Sequence, residues 1–139
     1  MLKKFRKPIR GFSLIELLVV VAVIGVLAGI AIPRFMMTTA KSKQAEAKGI
    51  LKQIYKMQRV HHQEHDTYAG NGQSASANGS FNSLDIVIMS SARYTYFIIA
   101  DSTKFTAMAF VNLDDDAIID TWTIDQTGNL QCIINDAEI

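Results

Sequence analysis

The 21 residues from Phe12 to Ile32 are apolar or glycine, apart from Ser13 and Glu16. At about 1.5 Å per residue, a helix over this stretch covers roughly 31 Å, close to the thickness of a bilayer's hydrocarbon core. After Arg34 the pattern changes. Ala47, Ile50, Leu51, Ile54, Met57 or Gln58, and His61 recur at helical spacing, while Lys41, Lys43, Lys48, Lys52 and Lys56 fall on other faces. That pattern predicts an amphipathic helix, continuous with the apolar stretch and ending near His62–His65. Gly, Asn and Ser dominate Tyr68–Ser83, the composition of a long surface loop. Leu84–Met89 suits either a helical turn or an edge strand. Tyr94–Ala100, Phe105–Val111 and Thr121–Ile124 read as strands, and after the turn Gln126–Asn129 the residues Leu130, Cys132 and Ile134 share one face of another.

The predicted fold is α+β: one long amino-terminal helix whose second half lays its apolar face on a small antiparallel sheet of three to four strands. The chain divides into a short basic segment (1–11), an apolar helix (12–34), the amphipathic half of the same helix (35–65), a surface loop (66–92) and the sheet (93–139). A chain of 139 residues with this apolar segment has room for one small globular head.

Charge sets the orientation. Lys3, Lys4, Arg6, Lys7 and Arg10 precede Gly11 with no acid among them, so the amino terminus is expected to stay cytoplasmic. A cleaved secretory signal has an apolar region of about 7–15 residues ending in a small-residue site. Here the apolar run is longer, and the small residue, Gly11, comes before it. Glu16 is the only charge between Arg10 and Arg34. An ionised side chain in hydrocarbon costs roughly 2.5–3.5 kcal/mol or more, so this carboxylate marks a functional contact.

The run Gly11-Phe12-Ser13-Leu14-Ile15-Glu16-Leu17-Leu18-Val19-Val20 resembles the class III signal of type IV pilins and type II secretion pseudopilins, and the likeness covers about the first 45 residues, including Gly25, Gly29, Ala31 and Pro33-Arg34. The resemblance implies a ladle-shaped subunit, cut after Gly11 by a membrane-embedded prepilin peptidase that then N-methylates Phe12. Gly11 lacks a Cβ, which suits close approach of a peptidase to the backbone. Glu16 falls in the first turn of the new helix, where the dipole favours an anion, and its expected partner is the Phe12 ammonium of a neighbouring subunit. Pro33 removes the donor to the Gly29 carbonyl, and Gly25 and Gly29 each weaken the helix by roughly 1 kcal/mol. Polymers of related pilins lose helix here, so extensible packing between Gly25 and Pro33 is one expectation and a simple bend the other.

The remaining chemistry is sparse. Cys132 is the sole cysteine, so the intramolecular disulfide that staples many pilin heads is excluded, and Cys132 is expected to be a small buried hydrophobe, with an intersubunit bridge or a reactive thiol as the alternative. Asp114, Asp115, Asp116 and Asp120 crowd one connection, making Asp114, Asp116 and Asp120 candidate calcium ligands. EF-hand spacing is absent, and Ala117 departs from the Gly-containing loop of related heads, so a solvated acidic turn is the competing reading. His61, His62 and His65 lack a third convincing ligand for zinc and read as a polar helix end. No other cofactor is expected. No phosphate loop, nucleophile elbow or paired-cysteine zinc motif points to an enzyme.

Net charge is +1, but residues 1–59 hold 12 basic and 2 acidic side chains, and residues 60–139 hold 2 basic and 11 acidic. Removing residues 1–11 leaves 9 basic and 13 acidic. The acidic head argues against nucleic-acid binding. The leading expectation is a structural subunit of a type IV pilus, the major pilin, serving adhesion, motility or DNA uptake. The alternatives are a type II secretion pseudopilin and a minor tip pilin acting as an adhesin or DNA-binding module. The expected partners are further copies of the chain, the prepilin peptidase/methyltransferase, and an assembly platform with its ATPase. The precursor would be a single-pass inner-membrane protein, later an extracellular pilus or periplasmic pseudopilus subunit.

Overall fold

The structure, a computed structural model, describes residues 11–113 and 117–137. Its first element is a 52-residue helix, α1 (Leu14–His65). Seven strands follow: β1 (Ser74–Ala75), β2 (Ser80–Phe81), β3 (Ile86–Val87), β4 (Thr95–Ala100), β5 (Phe105–Val111), β6 (Asp120–Asp125) and β7 (Leu130–Ile134). The chain forms two compact units that divide between Met36 and Met37.

In the second unit the main sheet is antiparallel with strand order β1-β4-β5-β6-β7. Its four longer strands are the ones the alternation predicts. The two-residue β1 adds a fifth from within the segment read as loop. β2 and β3 form a separate ribbon, and a single 3-10 turn at Asn82–Leu84 lies between them. The ambiguous Leu84–Met89 therefore holds the end of a helical turn and a strand. This segment is less superficial than its composition suggests, since Phe81, Leu84, Ile86 and Ile88 are all buried.

The core lies between the sheet and the second half of α1. Gln44, Ala47, Leu51, Ile54 and Gln58 are the buried residues of the helix, spaced three and four apart so that they share one face. Tyr96, Ile98 and Ala100 of β4, Phe105, Ala107 and Ala109 of β5, and Ile124 of β6 complete the same cluster. Ala107 and Ala109 sit on the central strand, where short side chains leave space for the helix.

Polar groups fasten both ends of the buried helical face. Gln58 is fully buried, and its amide pairs with one backbone position in both directions: Nε2 donates to the Ala69 carbonyl (2.7 Å), and Oε1 accepts from the Ala69 amide (2.9 Å). This two-way pairing holds the loop against α1 directly after the helix ends. The end itself is set by Asp66, in the left-handed region (φ 54°), whose amide donates to the His62 carbonyl at 2.9 Å.

The two long hairpins turn at the same end of the sheet and use the same device. Asp101 Oδ1 accepts from the Thr103 amide (2.7 Å), the Thr103 hydroxyl (2.8 Å) and the Lys104 amide (2.8 Å). Asp125 Oδ1 accepts from the Thr127 hydroxyl (2.6 Å), the Thr127 amide (2.8 Å) and the Asn129 amide (3.2 Å). These donors, led by the Thr103 amide at Asp101 and the Thr127 hydroxyl at Asp125, hold both carboxyls below the usual range.

Gly128 closes the second hairpin at φ +81°, and a Cβ there would stand 3.0 Å from Tyr55 Cζ. Gly128→Ala combines a left-handed alanine with a clash against a ring of α1. It is expected to destabilise the fold by about 1–3 kcal/mol. Thermal unfolding of the detergent-solubilised chain measures this, and an unchanged midpoint would show that the hairpin can move off the helix without cost.

Cys132 corrects an expectation. It is exposed, not buried. β7 is an outer strand, and its register against β6 slips between Thr121 and Trp122: Thr121 pairs with Ile134 but Trp122 with Cys132. The extra residue, Ile133, comes after Cys132, so Leu130, Gln131 and Cys132 keep regular alternation and the exposure of Cys132 goes with its place on an edge strand. From Gln131 to Ile134 every residue is exposed.

Candidate assembly site

Ser13 precedes the first residue of α1 and caps it. The Glu16 amide donates to Ser13 Oγ (3.3 Å), while Glu16 Oε2 accepts from both the Ser13 amide and the Ser13 hydroxyl (2.9 Å each). This is a reciprocal capping box, formed because Ser-x-x-Glu places each side chain over the other's unsatisfied backbone donor. The sequence carried that signal at Ser13, and the reading of Glu16 through charge alone missed it. The carboxylate is thereby pinned at the very start of the helix. Gly11 and Phe12 lie outside the helix and are exposed, and nothing lies within 4 Å of a Cβ added at Gly11. The Gly11–Phe12 bond is thus open, non-helical backbone.

Beyond the cap, α1 is apolar on every side. Its large hydrophobic residues from Leu14 to Ile32 are between 47% and 88% exposed. A helix apolar all round is stable only when lipid or other apolar helices surround it. Phe12, Ile15, Glu16, Val19 and Val20 line one open groove along this surface, so the single carboxylate borders an apolar seam. Gly25 and Gly29 face open space. The helix continues unbroken through Pro33 in the single chain.

Of the acidic connection, the described residues include Asp120. Asp114, Asp115 and Asp116 lie outside the described residues. Asp120, the first residue of β6, is fully buried. Its Oδ1 accepts from Gln44 Nε2 (2.8 Å) and the Asp136 amide (3.1 Å), and its Oδ2 from the Tyr94 hydroxyl (2.6 Å) and Trp122 Nε1 (2.7 Å). Four donors occupy the four lone-pair positions of the carboxylate. A cation would have to displace one of them to reach Asp120. Gln44 also donates to Asn135 Oδ1 at 2.8 Å, and the Leu113 amide donates to Asp136 Oδ2 at 2.9 Å. The cluster therefore ties α1, the residue just before β4, β6 and the segment after β7 to one buried charge. Burial, and next the bond to Asp120, push the Tyr94 phenol well above its ordinary pKa. The sequence signals were a glutamine at Gln44, in phase with the buried helical face, and an indole two residues after an aspartate.

The histidines serve the helix end. His61 Nδ1 lies 2.8 Å from the Thr67 carbonyl, His61 and His65 stack at 4.3 Å, and the His62 ring lies 4.4 Å from that of Tyr68. Among the described residues, no group of three His, Cys, Asp or Glu side chains is placed to hold a metal.

Comparison with known proteins meets the amino-terminal geometry directly. Residues 6–32 match the family model for the prokaryotic N-terminal methylation motif. The chain is 52% identical over 66 residues to the type IV major pilin protein PilA of Myxococcus xanthus, a match covering 48% of this chain and 30% of that protein. It is 34% identical over 116 residues to the fimbrial protein EcpC of Eikenella corrodens, covering 78% of this chain and 70% of that protein. A fimbrial protein of Pseudomonas aeruginosa is 51% identical over 41 residues, 27% of its length. The likeness to EcpC reaches well into the head, whereas the Pseudomonas match covers only 30% of this chain.

Proposed function

We propose that this chain, which belongs to the type IV pilin family, is a structural subunit of a type IV pilus, its major pilin. The observation that carries the reading is the apolar helix with one carboxylate fixed at its first turn and an open Gly11–Phe12 bond just ahead of it. In the membrane the helix is satisfied by lipid, with the basic residues 3–10 on the cytoplasmic side. Cleavage after Gly11 then creates an ammonium at Phe12. In the filament the apolar surfaces of neighbouring helices replace lipid. Glu16 takes the Phe12 ammonium of an adjacent subunit as counter-ion, so that charge neutralisation fixes the axial register. Gly25, Gly29 and Pro33 form the stretch most easily opened when helices pack.

The activity is polymerisation, with no catalytic step assigned to the head. The peptidase, platform and ATPase are partners that this chemistry requires. The names of the relatives above refer to pili and fimbriae, which favours a pilus over a secretion pseudopilus. Asp120 is already saturated with donors, which favours a head that is stable without calcium.

Mechanical shearing of cells expressing the chain at native level, followed by mass spectrometry of the sheared fibres, tests the proposal. The expected product is abundant fibre whose subunit begins at N-methylated Phe12. Chain that retains residues 1–11 and stays as dispersed membrane monomer would overturn the reading.

A further inference from the structure

The head carries a stripe of positive charge whose contacts within the fold are to the rings of Trp122 and Tyr55, with no carboxylate paired to it among the described residues. Lys41, Lys48, Lys52, Lys56 and Arg59 follow one another at intervals of 7, 4, 4 and 3 residues, which at about 100° per residue confines them to one side of α1. That side is turned away from the face formed by Ala47, Leu51 and Ile54. Lys41, Lys52, Lys56 and Arg59 are exposed, and Lys48 is half-buried with Nζ 4.0 Å from the Trp122 ring centroid. Among the described residues no carboxylate forms an ion pair with any of the five. Lys43, on the opposite side, is used differently and donates to the Leu113 carbonyl at 3.2 Å.

A second surface of opposite sign lies at the hairpin end of the sheet. In both turns the hydrogen bonds fall on Oδ1 of Asp101 and Asp125. Each Oδ2 is left outside that ring of donors, on a carboxylate already held in place. Fixing an acid in advance removes much of the side-chain entropy that makes exposed ion pairs weak. Lys104 offsets part of this charge, but residues 60–139 as a whole hold 11 acids and 2 bases.

From this complementarity we infer that the basic stripe of α1 docks the acidic hairpin rim, Asp101 and Asp125, of a second copy of this chain. Where each patch engages a different neighbour the contact is heterologous, and it propagates as an open helical assembly when the rotation between copies does not close a ring. The inference rests on the pilus reading and adds to it a contact between heads, independent of the Glu16 pairing. It orients the incoming subunit and makes filament integrity depend on salt.

The test is a charge swap in the full chain. Lys52→Glu with Lys56→Glu is expected to cut the yield of sheared fibre about tenfold, the factor equivalent to ~1.4 kcal/mol for two lost exposed pairs. Ser102→Lys with Gln126→Lys reverses the rim without touching the turn-forming aspartates, and is expected to weaken wild-type fibres but restore the Lys52→Glu/Lys56→Glu ones. Rescue also excludes misfolding as the cause of the loss. Undiminished fibre from the helix reversal, or a loss that the rim reversal does not rescue, would overturn the inference while leaving the pilus reading intact. Helix-reversed fibres of normal abundance that no longer retain DNA would reassign the stripe to a polyanion. A wild-type chain that makes no fibre at all would instead sink the pilus reading.

Discussion

Glu16→Gln should insert into the membrane normally, keep its helix cap and make no filaments. The capping box accepts glutamine as readily as glutamate, because the amide oxygen can take the Ser13 amide proton now bound at 2.9 Å. What glutamine cannot supply is a charge. If Glu16 acts only through the cap, the variant is silent. If it neutralises the Phe12 ammonium of a neighbour, the variant leaves that ammonium unpaired among apolar helices, at a cost of roughly 2.5–3.5 kcal/mol or more per subunit. Repeated along a polymer, that cost removes the fibre. The complementary change, Ser13→Ala, deletes the cap and keeps the charge, so it should cost about 1 kcal/mol of helix stability and leave fibres countable by shearing. Wild-type fibre yield from Glu16→Gln would assign the carboxylate to the cap alone.

The second large effect is expected at Asp120. Asp120→Asn preserves shape but replaces one accepting oxygen with a donating NH2 group. The Tyr94 hydroxyl can rotate to accept, but Trp122 Nε1, the Asp136 amide and Gln44 Nε2 can only donate. Whichever way the amide turns, at least one buried donor is left facing another donor. The loss is expected to be about 3 kcal/mol, and the thermal midpoint of the detergent-solubilised chain should fall by roughly 10–20 °C. Gln44→Ala removes only one spoke and should cost less. A midpoint within 3 °C of wild type would mean the cluster is not what fastens the segment after β7.

Much of this architecture was legible from periodicity. The apolar stretch, its continuation as an amphipathic helix to His65, and the four longer strands all follow from spacing, because burial on one face imposes a strict repeat. What escaped was polar. Asp120 looked like part of an acidic turn because it is read beside Asp114–Asp116, yet only its place at the head of β6 carries it into the core. Gln44 and Gln58 occupy positions that helical spacing assigns to the interior, but amide pairing across 76 and 11 residues of sequence has no local signature. Cys132 does alternate with Leu130, but alternation carries no sign that its strand lies at the edge of the sheet. At the assembly site the charge of Glu16 was legible, and its geometry became so only through Ser13.

The edges of the sheet bear on how such a molecule can be stored. One flank ends in β1, two residues long, and the other in β7, distorted by the slip at Thr121/Trp122. Neither offers a long, flat row of unpaired backbone donors and acceptors on which a neighbour's strand could grow. Heads crowded at high density on a membrane are thereby discouraged from cross-β aggregation. Polymerisation is left to the helices, where a processing step controls when it begins.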